Sequence, residues 1–231
     1  DFRMQGVSSI RMGNLPAVAG AAGSVTIHGK NFALVDSSPA ARIGGGGATA
    51  GHYATHIGGG TACEVTSWVS DTSLVARAAR GLSFPYPLAV TVGLQVSTVT
   101  DVFSYNKPFI AALGDPNGPA SGGASITLIG ENMGWLHMTP SARTGGSGCE
   151  ATDWLSDSTV LCKLHHGTSR GLSVAVTIDN EVATLADAFS YNVAYFDSTV
   201  FANGPTTGGA DVTIIGASFG AMQLSTRQRV G

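Results

Sequence analysis

The 231-residue chain carries 12 Lys and Arg against 15 Asp and Glu, for a net charge of -3. Binding to nucleic acid or to an anionic membrane surface needs a concentrated basic face, and no cluster of Lys or Arg supplies one, so both are excluded as expected partners. No run approaches the roughly 20 apolar residues that span a bilayer, so no membrane insertion is expected in this segment, and no basic stretch leads into an apolar signal segment.

With 32 Gly, 12% charged residues and 7% aromatics, and with Ala, Val, Thr and Ser dominant, the composition is that of many short strands joined by tight turns. The first alternating segment is Val25-Thr-Ile-His-Gly29. A glycine-rich stretch follows, from Gly44-Gly-Gly-Gly47 to Gly58-Gly-Gly60. Next comes the block Cys63-Glu-Val-Thr-Ser-Trp-Val-Ser-Asp-Thr-Ser-Leu-Val-Ala76, then Leu88, Val90 and Val92 alternating with Ala89 and Thr91, and then Phe103-Ser-Tyr-Asn106. Period-two alternation puts one apolar row against a core and one small polar row outward.

The same series then recurs. Cys149-Glu-Ala-Thr-Asp-Trp-Leu-Ser-Asp-Ser-Thr-Val-Leu-Cys162 follows the first block at an offset of 86, as do Val174, Val176, Ile178 and Phe189-Ser-Tyr-Asn192. That offset also carries Asn117-Gly-Pro-Ala-Ser-Gly-Gly123 onto Asn203-Gly-Pro-Thr-Thr-Gly-Gly209, and Ile126-Thr-Leu-Ile-Gly130 onto Val212-Thr-Ile-Ile-Gly216. A fixed internal period is the signature of a repeated module. The first copy departs from it: Val25 to Arg42 align at an offset of 101, so 15 additional residues lie between Arg42 and Cys63. The reading is therefore module 1 over residues 1–106 with a Gly-rich insertion at 44–60, module 2 over 107–192, and a partial module 3 over 193–231 that holds its first two strands. The chain is read as a piece of a longer precursor.

Strands of about five to seven residues, in a unit of about 90, indicate tandem all-β sandwiches of the immunoglobulin type. Trp68 and Trp154 are placed in the core, and Tyr105 and Tyr191 close the last strand of each module. Asn106-Lys-Pro-Phe109 and Asn192-Val-Ala-Tyr195 lead from one module into the next with almost no linker, which predicts a stiff rod. The two strands of module 3 would leave exposed edges unless a continuation of the chain or a neighbouring copy completes them.

Cys149 and Cys162 enclose twelve residues. Closing that loop would contribute about 3 kcal/mol and would imply an oxidising compartment; the alternative is a pair of buried reduced thiols. Cys63 faces alanine at position 76, which leaves it either buried as an unpaired thiol, the preferred reading, or bonded to another chain.

No catalytic set, metal site or cofactor is expected. Gly216-Ala-Ser-Phe-Gly220 fits the Gly-x-Ser-x-Gly pattern of hydrolase nucleophiles, but its counterparts read Gly130-Glu-Asn-Met-Gly134 and Gly29-Lys-Asn-Phe-Ala33, so it is read as a turn. His52 and His56 have the spacing of two ligands on a helix but lie among glycines that disfavour helix. His165-His166 aligns with Ala79-Arg80 and is read as a solvated turn. The glycine runs lack the Lys-Ser/Thr of a phosphate cradle, and the Asp residues show no calcium-loop spacing. Asp71 and Asp157, with Ser70 and Ser156, are read as turn caps. No Asn-x-Ser/Thr sequon occurs, so any glycans would sit on Ser, Thr or modified Pro, as at Thr139-Pro-Ser141.

The Asn-Gly-Pro-x-x-Gly-Gly string, the Gly-x-Asn/Ser turns, the Cys-x-x-x-x-Trp-x-Ser-Asp block and Phe-Ser-Tyr-Asn together resemble IPT/TIG domains, over essentially the whole chain. Module 1 departs at Asn14-Leu-Pro-Ala-Val-Ala-Gly20, at Ala76 and at the insertion. The resemblance implies an immunoglobulin-like fold; such modules are similar to those of cell-surface receptors, some transcription factors, polysaccharide-acting enzymes and the large tandem surface and flagellar-hair proteins of protists and algae, and fold does not choose among these. An extracellular or cell-surface setting is expected. The leading expectation is a non-enzymatic subunit of a cell-surface filament or appendage that assembles head to tail with copies of itself or neighbouring surface proteins. The alternative is an adhesin or receptor ectodomain that binds carbohydrate or protein through the Gly-rich loop. A third is an accessory domain of a carbohydrate-active enzyme.

Overall fold

The computed structural model describes residues 6–11, 14–15, 23–44, 61–81, 85–201 and 203–222, which are strands and turns without a helix. The chain divides into two compact units, Asp1–Pro108 and Phe109–Gly231. The first holds β1 (Gly6–Arg11), β2 (Asn14–Leu15), β3 (Ser24–Lys30), β4 (Ala40–Ile43), β5 (Thr61–Ala62), β6 (Val65–Ser70), β7 (Ser73–Arg77), β8 (Tyr86–Val92) and β9 (Gln95–Tyr105). The second holds β10 (Phe109–Leu113), β11 (Asn117–Gly118), β12 (Ser125–Glu131), β13 (Ser141–Thr144), β14 (Ser147–Gly148), β15 (Ala151–Ser156), β16 (Thr159–Lys163), β17 (Leu172–Ile178) and β18 (Glu181–Tyr191), followed by β19 (Tyr195–Val200) and β20 (Thr213–Ala217).

Both units build the same pair of sheets. In the first the strand orders are β1-β3-β7-β6 and β2-β9-β8-β4-β5; in the second they are β10-β12-β16-β15 and β11-β18-β17-β13-β14. Pairing is antiparallel except for β2 with β9 and β11 with β18, which run parallel. Alternation along the strands sorts side chains as the two-residue period requires. Val25, Ile27, Leu74, Leu88, Val90 and Phe103 are buried in unit 1, and Ile126, Leu128, Val160, Val174, Val176 and Phe189 in unit 2. This is an all-β, tandem immunoglobulin-like architecture.

The recurring Gly-x-Asn/Ser turn has a steric cause. A Cβ on Gly29, Gly130 or Gly216 would collide with the carbonyl oxygen of Gly6, Phe109 or Tyr195 on the adjacent first strand. Two residues on, Asn31, Asn132 and Ser218 take φ of 63°, 59° and 61°, a region that short polar side chains tolerate best after glycine. Ser218 therefore belongs to the same turn as its asparagine counterparts, as read from the sequence. The bulge in the preceding strand also recurs, between Val7 and Ser9, Ile110 and Ala112, and Phe196 and Ser198.

The insertion extends a single hairpin. In unit 2, β13 and β14 pair as Arg143↔Gly148 and Thr144↔Ser147, so Gly145 and Gly146 alone make the turn. In unit 1, β4 and β5 pair as Arg42↔Ala62 and Ile43↔Thr61, and residues 44–60 take the place of those two glycines. The strands on either side are unchanged in register. His52, His56 and the rest of the stretch beyond Gly44 up to Gly60 lie outside the described residues.

The third repeat contributes β19 and β20 as a two-stranded antiparallel sheet of their own. Phe196, Val212 and Ile215 are about half exposed.

Candidate functional site

Each sandwich is closed at the end of its longest strand, β9 or β18, where a tyrosine ties it shut. Tyr105 donates its hydroxyl to the carbonyl of Ala79, and Tyr191 donates to the carbonyl of His165 at 2.8 Å. Both rings are buried and meet Phe103 or Phe189 edge to face, with centroids 5.0 and 5.1 Å apart, a favourable aromatic geometry. Burial raises the ionisation of both phenols above the usual tyrosine range; for Tyr105 the neighbouring Tyr86 and Cys63 add to it. Gly81 and Gly167 lie against these rings, where a Cβ would overlap the tyrosine.

Around Tyr191 the two units differ. His165 and His166 stand where unit 1 has Ala79 and Arg80. The His165 ring is parallel to Tyr191 within 1°, its Nδ1 lies 3.1 Å from the tyrosine oxygen, and the His166 ring is centred 5.5 Å from that of His165. On the same end of the sandwich, Asn117, Arg170, Ser190, Tyr191, Asn192 and Val193 line a shallow cleft of about 300 Å³. It exists because the short parallel pairing Asn117↔Ser190 and Gly118↔Tyr191 brings the Asn-Gly-Pro string beside the Ser-Tyr-Asn string. Each string is visible in the sequence. Their adjacency is not, since strand pairing across a long separation leaves no local pattern.

At the other sheet, Cys149 and Cys162 form a disulfide, with Cα atoms 5.6 Å apart. Cys63 is a free thiol, and burial pushes its ionisation up to about 11. It packs against the core of unit 1, where Ala76 fills the place of the second cysteine and is 1% exposed. Beside these positions run equivalent ion pairs, Arg77–Glu64 at 3.6 Å and Lys163–Glu150 at 3.0 Å, both substantially exposed and so worth little individually.

Trp68 and Trp154 sit on β6 and β15, the edge strands of their sheets. Both are half-buried, and their indole nitrogens donate to the carbonyls of Ala33 at 3.2 Å and Met133 at 2.9 Å. They brace the Gly-x-Asn turn at the margin of the core, Trp68 packing against the buried cluster of unit 1. The serines act within their own turns, Ser70 Oγ accepting from Thr72 N and Ser156 Oγ from Ser158 N, both at 3.3 Å. Asp157 reaches further and accepts from Gly134 N at 3.1 Å. Burial raises its carboxyl above the ordinary 3.8, partly offset by the backbone N–H groups of Asn132 and Gly134. Among the described residues no group of three His, Cys, Asp or Glu side chains is placed to hold a metal, and no helix is long and apolar enough to cross a membrane.

Paired immunoglobulin-like sandwiches, each closed by a tyrosine, define a protein built of tandem β-sandwich modules. A family model described as the IPT/TIG domain matches residues 16–105 and 108–196, and the chain belongs to that family. Plexin-2 of Caenorhabditis briggsae is 27% identical over 170 residues, covering 71% of this chain and 10% of that protein. Human Plexin-A3 is 26% identical over 113 residues, covering 45% of this chain and 6% of that protein. The chain thus spans about a tenth of the length of these curated relatives or less. Among solved structures, the full extracellular region of Plexin A4 matches at 18% identity with a TM-score of 0.37, covering 81% of this chain and 18% of that one. The surface glycan-binding protein PbSGBP-B from Prevotella bryantii matches at 10% identity with a TM-score of 0.46, covering 82% of this chain and 42% of that one.

Proposed function

We propose that the chain is part of the ectodomain of a cell-surface receptor, in which IPT/TIG modules hold and present recognition loops for a protein or carbohydrate partner and carry out no chemistry themselves. The observation that carries this reading is the relationship to plexins, which extends over 71% of the chain and therefore reaches into both modules. The Cys149–Cys162 disulfide accords with it, because such bridges persist in oxidising, extracellular settings. The relatives reported above are plexins, whereas a filament reading would draw only on the half-exposed β19–β20 hairpin, so the receptor reading replaces the filament as the leading one.

The loop at residues 44–60 is the proposed recognition element. It enlarges one hairpin turn without shifting the strands on either side, and loops on a rigid scaffold are where binding residues concentrate. The hairpin of unit 2 supplies the test variant, residues 44–60 replaced by Gly-Gly. The secreted chain, displayed multivalently, is measured against a glycan array and against cells, and its oligomeric state is followed by analytical ultracentrifugation. The expected result is a monomer whose saturable binding is lost in the Gly-Gly variant while its melting temperature is kept. Concentration-dependent open polymers that the replacement abolishes would instead establish the structural role.

A further inference from the structure

We propose that His165 and His166 form a two-histidine site for a divalent late first-row transition metal such as zinc, nickel or copper. Its remaining coordination positions would be open to water or to a ligand brought by a partner.

The assignment starts from a proton count. Tyr191 has a single hydroxyl proton, and the carbonyl of His165, at 2.8 Å, takes it. The phenolic oxygen is then an acceptor toward His165 Nδ1 at 3.1 Å, so the proton of the neutral ring sits on Nδ1. Nε2 is left with its lone pair available. This is the arrangement by which metal-binding histidines are held in one tautomer and one orientation, the other ring nitrogen donating to a fixed oxygen.

The second imidazole lies at a suitable distance. A metal–nitrogen bond of about 2.1 Å and a tetrahedral angle put the centres of two ligating rings about 5 Å apart; those of His165 and His166 are 5.5 Å apart. The backbone beneath them is held on three sides. Gly123 N donates to Leu164 O at 2.8 Å and Gly167 N to Ala120 O at 3.0 Å, and Gly122 abuts the His165–His166 peptide with no room for a Cβ. A preorganised backbone lowers the cost of bringing two ligands together. His166 is exposed and His165 half-buried, so an ion can reach both. Imidazole pairs favour zinc, copper and nickel over calcium or magnesium, which take oxygen ligands. Unit 1 has the same tyrosine tie to Ala79 but neither histidine, so the site is particular to unit 2.

Isothermal titration of the tag-free chain with zinc chloride tests this, in a His52→Gln/His56→Gln background that removes the other closely spaced histidine pair. One equivalent of zinc is expected to bind. Either His165→Ala or His166→Ala should abolish that binding, and Tyr191→Phe should weaken it by about 10- to 100-fold, with circular dichroism confirming the fold. Ala79→His/Arg80→His, which places the pair beside Tyr105, should add a second equivalent. Absence of binding to the parent chain at millimolar zinc, binding that survives His165→Ala, or a folded Ala79→His/Arg80→His chain that gains no site would overturn the proposal.

Discussion

Replacing Ala76 with cysteine should convert the free thiol of unit 1 into a disulfide. The backbone is already in place: Cys63 N donates to Ala41 O at 2.9 Å, as Cys149 N does to Ala142 O, and Ala76 pairs with Thr66 as Cys162 pairs with Thr152. The new bridge would close the same loop as Cys149–Cys162, whose sequence separation is 13, for a loop-closure gain of roughly 3 kcal/mol. One neighbour opposes it. The register β4–β8 against β13–β17 sets Ile43 where unit 2 has Thr144, a residue 4.0 Å from Cys162 Sγ. Ile43 with Ala76 fills about the space that Thr144 shares with Cys162, so an added sulfur overpacks the site at a cost of about 1–3 kcal/mol. Ala76→Cys alone should therefore gain little, and Ile43→Thr/Ala76→Cys most of the 3 kcal/mol. At roughly 4–8 °C per kcal/mol for a unit of this size, the double variant should raise the unit 1 transition by about 10–20 °C. Mass spectrometry under non-reducing conditions should show two hydrogens lost, and calorimetry with and without reductant reads the gain. Two free thiols persisting under oxidising conditions, or a bridge between chains instead of within one, would refute the equivalence of the two sites.

Two further substitutions test the local geometry. Ala33 has φ of 83° where the later repeats have Gly134 at 92° and Gly220 at 96°, so Ala33→Gly should stabilise unit 1 by about 1 kcal/mol through relief of the left-handed strain, less the entropy that glycine adds to the unfolded chain; a lower midpoint in urea would mean that the strain is absent. Asp157 has a folded-state ionisation above its ordinary 3.8, chiefly through burial, so its contribution to stability is fully present below that value and lost as pH rises through the folded one. Asp157→Asn keeps an acceptor for Gly134 N without the charge, and should raise the unit 2 melting temperature at pH 7 while leaving it unchanged at pH 3; a drop at pH 7 would show that the N–H bonds to the carboxylate outweigh its desolvation.

What the sequence reveals here depends on whether a feature is local. Alternation and the 86-residue offset place most strands and buried residues, because a two-residue period and a repeat are both read along the chain. The edge strands break the rule. On β6, Val65 and Val69 are exposed while Thr66 and Trp68 turn inward, so the apolar side chains there do not mark the core face, and Trp68 and Trp154 end at its margin with their N–H groups satisfied. Likewise, the offset locates the additional residues between Arg42 and Cys63, but only the pairing of β4 with β5 shows that they fall between two paired strands. The histidine pair was visible as two letters. Its orientation depends on Tyr191, which is reached only through the closure of the last strand.

The third repeat separates the two kinds of information most clearly. Phe196 and Val212 occupy the positions of Ile110 and Ile126, and β19–β20 reproduces the β10–β12 pairing down to its bulge. Yet Ile110 and Ile126 are each 1% exposed, against 58% for Phe196 and 45% for Val212. Local pattern is thus sufficient to specify the hairpin and its register. Burial is conferred by β16 on the free edge and by β17 and β18 across the core, elements with no counterpart among the described residues of this repeat. Because an isolated hairpin is only marginally stable in water, whatever supplies those strands decides whether this apolar face becomes a core or an interface, and the β16 register at β12 defines the strand that would fit it.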